Sequence, residues 1–242
     1  MRTRWMQMVI ALAGLAAMCG SAACAQTDVA ASLYGAFTGT ITATPYPGIG
    51  TFQSPSNAAG GLLEVRHISK PWIGYEGTYA FNRANQVYSQ TNTPPPGEPP
   101  CFFPCAAGES VFTTPVSNNA HEVTGDWVVS VKVSNFRPFA LAGGGVLFDV
   151  PSSGQVATSV MQCVIQVTTS CVLSTSGNRA NTSTKPVFVY GAGVDWKLLP
   201  HIGMRLQYRG NLYKAPDLVA GFPPMEAFAH TAEPMIGVYF RL

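Results

Sequence analysis

His121, Glu122 and Ser117 are the residues whose types and spacing come nearest to a hydrolytic set. A serine activated by histidine, with a carboxylate fixing the imidazole tautomer, would attack an acyl ester such as those of lipid A. If the segment is extended, however, His121 and Glu122 point to opposite faces of the strand. An ordinary polar pair at a strand-to-loop junction is therefore preferred, and no catalytic residue is assigned. His67 and His201 lie beside short turns, and His230 starts a strand without a partner of catalytic type. Beyond the N-terminal segment there are four cysteines, in a C-x3-C pair (Cys101, Cys105) and a C-x7-C pair (Cys163, Cys171). Neither has a histidine at ligand spacing, so no metal site is expected. In an exported chain the expected chemistry is two local disulfides, Cys101 with Cys105 and Cys163 with Cys171, with a cross-loop arrangement as the alternative. The glycine clusters Gly143-Gly-Gly145 and Gly191-Ala-Gly193 fall inside strands, where they serve close packing or bending rather than holding phosphate.

The larger set of chemistry-bearing residues is charged. Glu64, Arg66, Glu76, Glu122, Asp126, Lys132, Asp195, Lys197, Arg205, Arg209 and Arg241 alternate with large apolar residues along extended segments, which places them together on one face. On the other face stand Ile73, Tyr79, Trp127, Val129, Tyr190, Trp196, Leu206 and Phe240. If the apolar face meets lipid, the charged one lines a lumen. There five acidic and six basic side chains should pair, since an unpaired buried charge costs far more than a hydrogen-bonded pair. Val129, taken to lie near mid-strand, should then resist an arginine strongly, and Thr124 on the lumen side should tolerate one better.

The elements that must position these residues are strands. The closing stretch shows why: Ile236, Val238, Phe240 and Leu242 share one face, Met235, Gly237, Tyr239 and Arg241 the other, and the stretch runs to the last residue. Period-two patterns recur at 33–42, 60–68, 72–83, 121–133, 138–150, 187–198, 202–213 and 234–242. The connections alternate strictly. Long ones fall near 44–58, 84–119, 151–186 (which has room for a hairpin of its own) and 214–229, and short ones at 69–71, 134–137 and 199–201. This is the layout of an all-β, eight-stranded antiparallel up-and-down transmembrane β-barrel, with four long outer loops and three short periplasmic turns. A lipocalin-like carrier would put the apolar residues inside instead.

Residues 1–25 carry Arg2 and Arg4, an apolar run from Val9 to Met18 and small residues ending Ala23-Cys24-Ala25, the layout of a cleaved secretory signal. That leaves 26–242 as the barrel. The mature chain has 12 basic and 12 acidic residues. It is formally neutral, with no electrostatic footprint for nucleic acid.

The strand from Trp72 with Asn82-Arg83, the segment Gly191-Ala-Gly-Val-Asp-Trp196 with the Pro200 turn, and the closing Gly237-Val-Tyr-Phe-Arg-Leu242 resemble small outer-membrane β-barrels of the OmpA-like and opacity-protein type. The resemblance implies insertion by an assembly machine that reads the closing strand through Ile236, Val238, Phe240 and Leu242, the last position usually being aromatic. It also implies residence in the outer membrane of a Gram-negative-type bacterium. The peptidoglycan-binding domain frequent in that group has no counterpart here, so wall anchoring is not expected. The expected partners are outer-membrane lipid, the assembly machinery and an unidentified extracellular ligand, with no cofactor. The expected role is structural or surface contact through the long loops, the alternatives being a lipid A-modifying hydrolase or a narrow channel.

Overall fold

The computed structural model describes residues 26–46, 49–70, 72–92, 110–165, 169–223 and 225–242. The expected signal segment and the Cys101–Cys105 pair lie outside the described residues. In chain order the strands are β1 Gln26–Thr38, β2 Ile41–Tyr46, β3 Ile49–Pro55, β4 Ala58–Lys70, β5 Ile73–Asn92, β6 Ser110–Ser130, β7 Phe136–Pro151, β8 Gln155–Ile165, β9 Thr169–Arg179, β10 Ser183–Lys197, β11 Ile202–Lys214 and β12 Phe228–Arg241. Among them β1, β4, β5, β6, β7, β10, β11 and β12 form a closed antiparallel ring. β5 pairs with β6, and β12 returns to β1 with Val29 opposite Phe240 and Leu33 opposite Ile236. Closure leaves no strand edge within the ring, which is what lets a sheet span lipid.

The tight connections lie between Lys70 and Ile73, Ser130 and Phe136, and Lys197 and Ile202, at the same end as Gln26 and Leu242. The middle one closes through paired backbone bonds between Val133 and Phe136, of 2.8 and 2.9 Å. This sharp reversal puts Ser134 at a positive φ of 56°.

The far end departs from the loops expected there. The described residues of 84–119 are strand: β5 continues to Asn92 and β6 begins at Ser110, with Tyr88 opposite Thr114 and Gln86 opposite Val116. The alternation in these strand ends is carried by polar residues such as Gln86, Ser89 and Thr114, which read as loop. β2 and β3 form a hairpin whose second strand pairs with upper β5, while β8 and β9 form the anticipated hairpin and attach to upper β6. These extensions build a crown above the barrel.

The outward face is apolar and bounded by two aromatic belts. Nearer the tight turns, Tyr75 pairs across strands with Trp127, and Phe136 stacks on Trp196 at 5.8 Å. Toward the crown, His121 lies 5.0 Å from Phe81, and Phe188 stacks on Tyr190 at 6.4 Å. Leu33, Leu206 and Ile236 stand between the belts, in register and exposed. This apolar band between aromatic girdles is that of a membrane barrel, and the chain is an outer-membrane β-barrel protein. Every residue expected to face lipid does point outward. Val129, however, is the penultimate residue of β6, at the turn end rather than mid-membrane.

Candidate functional site: the filled lumen and its crown

Inside the ring, side chains of alternate residues converge on the axis. Glu64 and Arg66 come from β4, Glu76 from β5, Asp195 from β10 and Arg205 from β11, and all are 2% exposed or less. The Arg205 guanidinium makes a forked contact with Asp195, Nε to Oδ1 at 2.6 Å and Nη2 to Oδ2 at 3.0 Å, and reaches across the barrel to Glu64. Arg66 donates to Glu76 at 2.7 Å and contacts Asp195 at 3.4 Å, while its plane lies 4.0 Å from the Phe139 ring. One layer higher, Arg209 donates to Glu122 at 2.9 Å and to Thr124 at 3.2 Å, with Asp126 at 4.0 Å. Asn211 holds the other Glu122 oxygen at 2.8 Å. At the turn end Arg241, half-buried, donates to Asp28 at 3.3 Å.

Glycine makes room for this layer on β7. A side chain at Gly143 would collide with the Asp126 carboxylate, which lies opposite it in register. These glycines are thus close-packing sites, as expected.

The lumen differs from its sequence reading in two respects. Lys132 and Lys197 are exposed, because β6 ends at Ser130 and β10 ends at Lys197 itself, so neither side chain enters the bore. Asp28, Asp149 and Glu233, by contrast, are buried inside it. Asp28 and Glu233 were missed because β1 and β12 begin earlier than their apolar patterns suggest, although both share the inward parity of Tyr34 and Met235. Asp149 was missed because β7 is apolar on both faces. Among the described residues the interior therefore holds eight carboxylates against the buried Arg66, Arg205 and Arg209 and the half-buried Arg137 and Arg241.

The hydrolytic candidates are not brought together. The His121 ring is paired with the Tyr79 hydroxyl at 2.8 Å on the outer face, Glu122 is held in the lumen by Arg209, and Ser117 donates to Asn85 at 2.7 Å. His230 likewise meets Tyr190 at 2.8 Å, and His67 and His201 lie against Tyr75 and Phe240 in the other belt. Ile236, Val238, Phe240 and Leu242 are all exposed on the outer side of the closing strand. The backbone register places Cys163 opposite Cys171 in the β8–β9 hairpin.

Above the charged layers the interior changes character. The connection between β11 and β12 folds over the inner side of the crown as a strap. Leu218 and Val219 pack on Tyr88 and Val116, while Ala215 and Met225 pack with Ile41 and Ala229. The Tyr88 hydroxyl donates to the Pro216 carbonyl at 2.6 Å and accepts from the Leu218 amide at 3.3 Å. Burial raises the pKa of this phenol, which keeps it a neutral donor. Backbone bonds from Asn181 to Leu218 and from Ala220 to Arg179, each 2.9 Å, tie the strap to the end of β9.

No family model and no curated protein matches the sequence. Several solved structures are similar to it. The outer membrane protein OprG of Pseudomonas aeruginosa is 10% identical, with 90% of this chain and 95% of that one covered and a TM-score of 0.47. Ail, the attachment invasion locus protein of Yersinia pestis, is 12% identical over 90% and 97%, with a TM-score of 0.38. Neisserial surface protein A is 10% identical over 89% and 96%, with a TM-score of 0.38.

Proposed function

We propose that this protein is a plugged barrel that presents an ordered crown at the cell surface for contact with an extracellular ligand. One observation carries the reading. A strand needs about 9–11 residues to cross an outer membrane, whereas β5 and β6 have 20 and 21. Their outer halves, two added hairpins and the strap form a packed structure outside the lipid. Such a structure is unnecessary for membrane residence alone, and large pre-ordered surfaces lose less entropy on binding. Below it the cross-barrel arginine pairs fill the bore, so solute passage is not the role.

The direct test compares intact cells displaying the wild-type protein with cells displaying a form in which 41–55 and 155–179 are replaced by short turns. Binding to host cells or matrix should fall to background in the shortened form. Equal binding by both would overturn the reading. Planar-bilayer recording tests the plug separately: the wild type should show no steady conductance, and Arg205→Ala should raise it.

In this reading the outward residues of the closing strand, including Phe240 and Leu242, serve recognition by the assembly machinery. Cys163 and Cys171, opposite in register, form a disulfide that pins the β8–β9 hairpin.

A further inference from the structure

Between the Arg209 layer and the crown lies a cavity of about 40 Å³. Among the described residues its walls carry three carboxylates, Glu122, Asp149 and Glu233, and no basic side chain. Glu122 is already held by Arg209 and Asn211. Four oxygens on residues lining the cavity, Glu233 Oε2, Asp149 Oδ2, Asn211 Oδ1 and Asn118 Oδ1, are buried without a hydrogen-bond partner among the described residues. The Asn118 and Asn211 NH2 groups donate to Asp149 and Glu122, so each amide presents its oxygen elsewhere. All four residues are 3% exposed or less, so the orphaned acceptors are costly unless something donates to them.

An occupant that donates hydrogen bonds would satisfy these acceptors, and a cationic one would also offset the carboxylates around it. No group of three His, Cys, Asp or Glu among the described residues is placed to hold a metal ion. A quaternary ammonium does not fit, because it has no N–H to offer. The space corresponds to roughly three water positions at about 10–15 Å³ each. Part of the wall is apolar, with Ala36, Ala80, Ala120 and Leu147. The cavity lining extends to the exposed Ser56, on the crown side of the Arg209 plug. We infer that this cavity is a dead-end binding site, open to the cell exterior, for a short-chain primary ammonium. Its head donates to Glu233, Asp149 and the two asparagine oxygens, and its alkyl stub lies against the alanines.

The test is titration calorimetry on the full chain refolded in a non-ionic detergent, with methylammonium chloride as the probe. Saturable one-site binding is expected, with none for tetramethylammonium. Glu233→Gln and Asp149→Asn should each weaken it about tenfold or more, the loss of one charge-assisted hydrogen bond. Ala120→Leu should abolish it by filling the space with every charge in place, and so decides the matter if a carboxylate variant fails to fold. Asp217→Asn, a crown carboxylate that does not line the cavity, should leave it unchanged. Absence of saturable methylammonium binding, equal binding of tetramethylammonium, binding of calcium instead, or indifference to both Glu233→Gln and Ala120→Leu would each overturn the assignment.

Discussion

The lumen and the crown are enclosed by the same two long strands, yet their interiors are opposite in kind. In lower β5 and β6 the inward positions are Glu76, Thr78, Glu122, Thr124 and Asp126, and the outward ones include Tyr75, Tyr79, Val123 and Trp127. In the upper halves the inward side holds Tyr88 and Val116 beside the uncharged Gln86 and Thr114, while Arg83, Asn85 and Ser117 face out. What changes between them is the solvent. Where lipid covers the outside, apolar side chains are stable there and the hydrogen-bonding groups are driven inward. Where water covers it, the hydrophobic effect draws apolar side chains such as Tyr88, Val116 and Leu218 inside, beside uncharged polar ones. The strands hold one alternation throughout, and only the residue types exchange sides, close to the upper aromatic belt.

Arg205→Ala should be the most damaging change. It leaves Glu64 and Asp195 short of their main partner in the interior, and about 3–5 kcal/mol of stability should be lost in urea unfolding from lipid vesicles. If instead the loss matched that of a surface residue, the lumen would be wet and the contrast with the crown would fail. Leu218→Ala removes a fully buried crown side chain and should cost about 2–5 kcal/mol. The loss should be local: protease should then cut the strap while the barrel still resists unfolding. Simultaneous loss of both would mean that lumen and crown are one cooperative unit.

The membrane band itself can be mapped with arginine. Leu206→Arg, between the belts, should cost about 2–4 kcal/mol, and Val129→Arg, at the turn end, only about 0–1 kcal/mol. Thr124→Arg, which should be mild if the lumen is roomy, will not be, because Thr124 is 5% exposed and bonded to Thr78 and Arg209. Overpacking there should cost about 1–3 kcal/mol. The smallest effect should be Ser134→Gly, a gain of up to about 1 kcal/mol from relieving a positive φ. No gain in the unfolding midpoint would show that Ser134 is not strained.

The barrel was legible because period-two alternation survives wherever one face meets lipid, as in 72–83 and 202–213. Most of the lumen followed from it, since Glu64, Arg66, Glu76, Arg205 and Arg209 alternate with unmistakable apolar partners. Legibility failed where that contrast fades. Lys132 and Lys197 keep the inward parity but lie where the strands are ending, and parity alone does not say where a strand stops. The crown escaped because Gln86, Ser89 and Thr114 read as loop, and because the apolar partners of Tyr88 come from a strap some 128 residues away in sequence. The cavity was invisible for the same reason: Asn118, Asp149, Asn211 and Glu233 come from four strands, and only closure brings them together.

The strap is the last outer connection in chain order, and this has a bearing on how the molecule is built. Tyr88 can meet Pro216 and Leu218 only after β11 is in place, and the strap is held at both ends only once β12 has found β1. Contacts so distant in sequence form late, because the chain must first lose the entropy of closing the intervening loop. The crown's apolar interior therefore stays exposed through most of assembly, and the step that seals the barrel against lipid also seals the crown against water. A barrel stalled before its final strand would show the outside world a greasy, half-built surface, so the strap acts as the mark of a finished molecule.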